Sequence, residues 1–294
     1  MDYYGEIKRE LVNNEINRKV KNYSIIKSDL NAYFKVGKML SEAGKHYGEG
    51  VIKEYSKRLT KELGKGYTFS ALARMRKLYM LLVKVATVSP QLTYGHYVLL
   101  IPYSDINKVK YYIKIAEINN LSVRQLRDRI KSNEYERLPS KTRNKLITSQ
   151  NTNIKDFIKN PILIKNSNNY AKISEKLLQK LILEDLPSFM KELGEGFCFI
   201  DNEYSIKVGQ SYNYIDLLLF NIKYNCYVVV ELKVTELKKE HIGQIEVYMN
   251  YIDNNLRLPT QDKTIGIIIC KQDNKYVIKY CSDSRIISRE YKLI

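Results

Sequence analysis

Cysteine and histidine are scarce in this chain, and their placement excludes more than their number does. The four cysteines, Cys198, Cys226, Cys270 and Cys281, include no Cys-x-x-Cys pair, and only His46, His96 and His241 could supplement them. A zinc centre gathers such ligands at close spacing, so none is expected. Three of the cysteines lie in apolar, strand-like runs, which points to reduced, buried thiols. Long hydrophobic runs are missing too. No stretch approaches eighteen apolar residues, and Met1-Asp-Tyr-Tyr-Gly-Glu6 lacks a signal peptide's apolar core. The expectation is a soluble, cytoplasmic protein with no membrane partner.

Acidic side chains are also in deficit, with 32 against 49 basic ones, giving a net charge of +17 over 294 residues. An excess of that size points to a polyanionic partner. The deficit is local. Residues 1–150 hold 29 basic and 14 acidic side chains, net +15, whereas residues 151–294 hold 20 and 18, net +2. A chain of this length suits one large or two ordinary domains.

Residues 1–150 are expected to form a basic, mostly helical domain. Apolar positions recur at three and four through Ile25–Leu40, Val51–Leu63, Phe69–Val83 and Ile106–Ile118. Gly64-Lys-Gly66 breaks the second from the third, Ser89-Pro90 ends the third, and Ser122 is placed to cap a short helix over Val123–Ile130. Short helices with tight turns and a basic balance fit a helix-turn-helix-like DNA-binding domain. Its candidate DNA contacts are Arg74, Arg76 and Lys77 on the third helix and Arg124, Arg127 and Arg129 on the last. Residues 138–170, polar and interrupted by Pro161, are the candidate linker.

Residues 151–294 carry the chemistry. Tyr214-Ile-Asp-Leu-Leu-Leu-Phe220 and Tyr227-Val-Val-Val-Glu-Leu-Lys-Val234 have strand length and content, and Asn221–Asn225 reads as the hairpin loop between them. Alternation puts Val229, Glu231 and Lys233 on one face of the second strand. Charges on otherwise apolar strands cost free energy unless they pair or bind an ion. Hard divalent cations take carboxylate oxygen, so Asp216 and Glu231 are candidate Mg²⁺ ligands, and Lys233 could offset charge on a phosphate under attack. Lys238–Asp253 then repeats Ile242, Ile245, Met249 and Ile252 at helical spacing, with Gln244 and Tyr248 one turn apart on one face. Thr264-Ile-Gly-Ile-Ile-Ile-Cys270 has the continuous apolar run of a buried parallel strand. Upstream, Ile173–Leu186 reads as an amphipathic helix that kinks or restarts at Pro187. Gly196–Ile200 and Glu203–Val208 read as two strands joined by a turn at Asp201-Asn202.

This order of elements resembles the PD-(D/E)xK nuclease superfamily, and within it the YhcG-like family. The residues that carry the likeness are Glu192-Leu-Gly-Glu-Gly-Phe-Cys-Phe199, Tyr214–Phe220, Val230-Glu-Leu-Lys233, Gly243-Gln244 with Tyr248, and Ile265-Gly-Ile-Ile-Ile-Cys270. Leu92-Thr-Tyr-Gly-His-Tyr97 and Leu121-Ser-Val-Arg-Gln-Leu126 resemble that family's leading domain. Ile215 stands where the superfamily's name implies proline. The resemblance implies an α+β chain: a helical domain, then an α/β nuclease domain with a mixed central sheet. It implies a Mg²⁺- or Mn²⁺-dependent endonuclease of DNA in bacterial defence or DNA processing. Asp216, Glu231 and the Leu232 carbonyl would hold the metal, Lys233 would serve the phosphate, and Gln244 and Tyr248 would stand nearby. It also implies a further acid on the first helix, for which Glu184 is the best-placed match and Asp185 the next. His241 is expected to be a helix-start surface histidine and no base. The alternative is a non-cleaving nucleic-acid-binding or assembly module of a defence or restriction system. DNA is the expected partner with RNA kept as the other open substrate, and association of copies into a homo-oligomer is a further open expectation.

Overall fold

The computed structural model describes residues 2–19, 25–86, 89, 91–148 and 152–294. The chain forms two compact units, Met1–Tyr135 and Glu136–Ile294.

The first unit is helical: α1 (Tyr3–Lys19), α2 (Ile25–Tyr47), α3 (Gly50–Leu63), a 3-10 turn at Lys65–Tyr67, α4 (Phe69–Val85), α5 (Tyr94–Leu100), α6 (Ile106–Ile118) and α7 (Val123–Lys131). The short α8 (Glu134–Arg137) stands at the unit boundary. One core is built from Ile7 and Leu11 of α1, Val36 and Leu40 of α2, Leu59 of α3 and Leu72 of α4. Helices α2 and α4 approach so closely at Gly37 that a Cβ there would come within 2.2 Å of the Met75 carbonyl oxygen. Only glycine permits that crossing. Ser122 caps α7 as expected, accepting from the Gln125 N–H while the Gln125 side chain accepts from Ser122. Helix α4 closes at Val85 with Ala86 left-handed, and Pro90, expected to end it, lies outside the described residues. Helix α1 has no counterpart in the sequence reading. Its buried apolar positions, Tyr3, Tyr4, Ile7 and Leu11, fall in its first half, and in the second half the buried side chain is the polar Asn14.

In the second unit the segment expected as a linker is structured. It holds α9 (Ser140–Ile147), α10 (Ile154–Phe157) and the edge strand β1 (Ile162–Ile164), while its residues 149–151 lie outside the described ones. The apolar triplet Ile162-Leu-Ile164 is short enough to hide among polar neighbours, yet it adds a parallel strand to the sheet. Arg137, Lys159 and Glu192 form a nearly buried ion cluster that ties this segment to the sheet domain. The unit therefore begins ahead of residue 150.

The remaining elements are α11 (Glu175–Glu184), α12 (Leu186–Leu193), β2 (Phe197–Val208), β3 (Ser211–Asn221), β4 (Cys226–Glu236), α13 (Lys239–Asn255), β5 (Asp262–Gln272), α14 (Lys275–Lys279) and β6 (Ile286–Leu293). They give a mixed six-stranded sheet ordered β1-β6-β5-β4-β3-β2, in which β4, β5, β6 and β1 are parallel and β3 runs antiparallel between β4 and β2. Helices cover both faces. Leu178, Leu181 and Ile182 of α11 pack with Val228, Val230 and Leu232. On the other face, Ile245, Met249 and Ile252 of α13 pack with Val229 and Ile268. At Gly266 a side chain would strike Met249 Sδ at 2.6 Å, so glycine lets α13 lie close on β5. The restart expected at Pro187 is the break between α11 and α12, and Asp185 caps α12 by accepting from the Ser188 N–H. The turn expected at Asp201-Asn202 is absent. Both residues stay in the ladder opposite Leu218 and Leu217, and β2 absorbs the irregularity as a bulge between Phe199 and Asp201 and a left-handed Glu203.

Candidate active site

The β3–β4 ladder ends at Leu217↔Val230. Two residues further along β4, the Leu232 N–H finds no strand partner there. It donates instead to Asp216 Oδ2 at 2.7 Å. The carboxylate thus takes the place of a main-chain acceptor where the strands part. A strand residue's N–H and C=O point to the same neighbour, so the Leu232 carbonyl lies along the edge that Asp216 faces. Gln179 of α11 holds Asp216 from behind, its Nε2 donating to the Asp216 carbonyl at 2.9 Å.

Glu231 is 2% exposed, and its two oxygens have different fates. Oε1 accepts from Lys233 Nζ at 2.8 Å, while Oε2 is buried with no hydrogen-bond partner. Burial, then the nearby charge of Asp216, pushes the Glu231 carboxyl up to about 7 against the pull of Lys233. Burial also raises Asp216, although the Leu232 N–H and Lys233 oppose it. The two acids therefore share one confined space. Lys233 feels burial working against its charge, but Glu231, Glu175 and Asp216 together outweigh it and keep the ammonium charged above its usual range.

The fourth participant is Glu175, the first residue of α11, whose Oε2 is 3.5 Å from Lys233 Nζ. Sequence reasoning missed both Glu175 and Gln179. Glu184 does not join the cluster. It sits at the far end of α11, about 13 Å along the helix axis from Glu175, half exposed and 4.0 Å from Lys180. Asp185 is engaged as the α12 cap. On α13, Gln244 Nε2 donates to Tyr248 Oη at 2.9 Å. Tyr248 is buried in the α13 core, and its hydroxyl is raised by burial and by Glu231 and Asp216 beyond it. His241 Nδ1 accepts from the Lys238 N–H, which makes it part of the α13 cap.

Among the described residues no three His, Cys, Asp or Glu side chains gather as a metal cluster. Two carboxylates and a main-chain carbonyl make a smaller, all-oxygen donor set. The unpartnered Glu231 Oε2 fits such a set, since a buried carboxylate oxygen without a donor is costly unless a cation or proton meets it. No helix is long and apolar enough to cross a membrane among the described residues.

Two family models match, and together they take in most of the chain: the YhcG PDDEXK nuclease domain over residues 155–293 and the DUF1016 N-terminal domain over residues 9–137. The chain belongs to the YhcG-like family of PD-(D/E)xK nucleases. YhcG of Escherichia coli (strain K12), a nuclease by name, is 25% identical over 293 residues, covering 86% of this chain and 78% of that protein. A repair endonuclease from Pyrococcus abyssi aligns at 21% identity over 42% of this chain and 48% of its own, with a TM-score of 0.30. The EndoMS–dsDNA2 complex aligns at 18% over 42% and 47%, with a TM-score of 0.31. This chain spans about half of each of those two structures, and overlaps that slight carry nothing about substrate. Asp216, Glu231, Lys233, Gln244 and Tyr248 all lie within the residues that the nuclease-domain model matches.

The six basic residues proposed for DNA divide in two. Arg74, Lys77, Arg124 and Arg127 are exposed. Arg76 is instead bound through both terminal guanidinium nitrogens, Nη1 and Nη2, to Glu49, and Arg129 is 3.2 Å from Glu134, which is 3% exposed and also accepts from Tyr111. Periodicity could not tell these apart, because their carboxylate partners are 27 and 5 residues away.

Proposed function

We propose that the chain is a metal-dependent endonuclease of DNA, with Mg²⁺ or Mn²⁺ as its ion. The observation that carries this reading is Glu231: a buried carboxylate, one oxygen held by Lys233 and the other unpartnered, facing Asp216. Asp216, Glu231 and the Leu232 carbonyl would hold the ion. When bound, it would supply an acidified water and a polarised phosphate.

The chain's own groups do the rest. Gln179 fixes the Asp216 main chain, and the Leu232 N–H fixes its carboxylate. Glu231 and Glu175 hold the Lys233 ammonium from two sides, which keeps its charge aimed where a phosphate would gain negative charge. The exposed Arg74, Lys77, Arg124 and Arg127 of the first unit would supply phosphate contacts for a helix-turn-helix-like domain. DNA is the proposed partner, since that unit's positive net charge suits a phosphate backbone, and the cytoplasm is the proposed location. The test is cleavage of supercoiled plasmid by the purified full chain. Nicking or linearisation with Mg²⁺, none with EDTA, and none by Asp216→Asn is the expected result. Cleavage by Asp216→Asn equal to the wild type would overturn the reading.

A further inference from the structure

The β2–β3 hairpin continues past the point where β3 leaves β4, and its two sides differ sharply. One side, with Tyr204 opposite Ile215, packs onto the α13 core, where Ile206 and Ile215 are fully buried. The other side pairs Ser205 with Tyr214 and Lys207 with Tyr212. There Tyr212 is 63% and Tyr214 56% exposed. Lys207 Nζ stands 5.8 Å from the Tyr212 ring centre. Tyr212 and Tyr214 lie along the side opposite Ile215, four and two residues before Asp216 on β3. The acids of the hairpin, Asp201 and Glu203, lie at its root beside Asp216, and its tip carries only Lys207.

We infer that Tyr212 and Tyr214 form a stacking platform for the unpaired bases of a DNA strand whose backbone runs on to Asp216. The inference rests on the nuclease reading and names its substrate class: DNA with a single-stranded segment next to the cut. Alternate strand residues are about 6.8 Å apart, about twice the 3.4 Å rise per nucleotide of a duplex strand. Neighbouring bases on the two rings must therefore be unstacked from each other, which a duplex does not offer. Rings accept any base, and the nearby ammonium offsets backbone phosphate. Continuity with the catalytic strand selects the occupant. A strand held at Tyr212 and Tyr214 has its next phosphates over the carboxylates.

The test uses the full chain in EDTA, so that binding is read without cleavage, and a labelled oligodeoxynucleotide containing 5-bromodeoxyuridine. Photocrosslinks are expected at Tyr212 or Tyr214. The Tyr212→Ala/Tyr214→Ala variant should bind the single strand at least about tenfold more weakly, with duplex affinity changed less than about twofold. The Tyr212→Phe/Tyr214→Phe variant keeps both rings and should bind like the wild type. Crosslinks confined to other residues, or unchanged single-strand affinity in the alanine variant, would overturn the platform. So would an equal loss in the phenylalanine variant, which would assign binding to the hydroxyls. A wild type that binds as expected here but cuts no DNA with Mg²⁺ or Mn²⁺ would remove the nuclease reading and leave the platform standing.

Discussion

The two units handle charge in opposite ways. The first carries +12 of the chain's net +17, and Arg74, Lys77, Arg124 and Arg127 hold part of it on exposed helix faces. The second, net +5, concentrates Asp216, Glu231, Glu175 and Lys233 at one parting of two strands, mostly out of water. Exposed charge is cheap to hold and acts through number and salt-sensitive attraction. Buried charge is costly to hold and acts through position. On the proposed function, affinity belongs to the first arrangement and chemistry to the second.

The largest effect that can break this division is on rate. Lys233→Ala should lower cleavage by about 10²–10³-fold, the loss typical when one group that stabilises transition-state charge is removed. DNA affinity of the full chain should stay within a few-fold, as read by a binding titration in EDTA. An equal fall in rate and affinity would make Lys233 a binding residue and erase the contrast.

A smaller effect sharpens the contrast inside the first unit. Arg129→Ala removes the ion-pair partner of a buried glutamate, leaves it the Tyr111 hydrogen bond, and should cost about 3 kcal/mol of stability in a denaturant titration. Arg124→Ala with Arg127→Ala should leave stability nearly unchanged. The same pair should flatten the slope of log K against log salt by about 1.8, at about 0.9 for each phosphate no longer neutralised. A slope unmoved by that pair would show that α7 faces something other than DNA.

Strands β3, β4 and β5 and the pairing of Glu231 with Lys233 are legible in the sequence because they obey short-range rules. Alternation along β4 puts Glu231 and Lys233 on one face, and the helical period fixes α13 with Gln244 and Tyr248. Glu175 and Gln179 are not legible. Each acts across the fold, 58 residues from Lys233 and 37 from Asp216, and on α11 they read as ordinary polar positions between the leucines. Glu184 stands nearer the nuclease strands in sequence, whereas it is the start of α11 that meets the end of β4. The same limit hides the ion pairs of Arg76 and Arg129. Strand β1 escapes for another reason: three apolar residues are too few to show a period.

Glu231 gives the central claim its most direct test. Its carboxyl, raised to about 7 in the folded metal-free chain from an ordinary value of 4.5, favours folding while protonated. That contribution is complete below about pH 4.5 and is lost as pH rises through about 7. A bound cation reverses the preference, because it must displace the proton to bind. Calorimetric titration of Mn²⁺ into the full chain should therefore give binding that is several-fold weaker at about pH 6 than at about pH 8, with proton release at the lower pH. Glu231→Gln should abolish it at both. Binding of equal strength at the two pH values, retained in Glu231→Gln, would contradict a cation site built on Asp216 and Glu231.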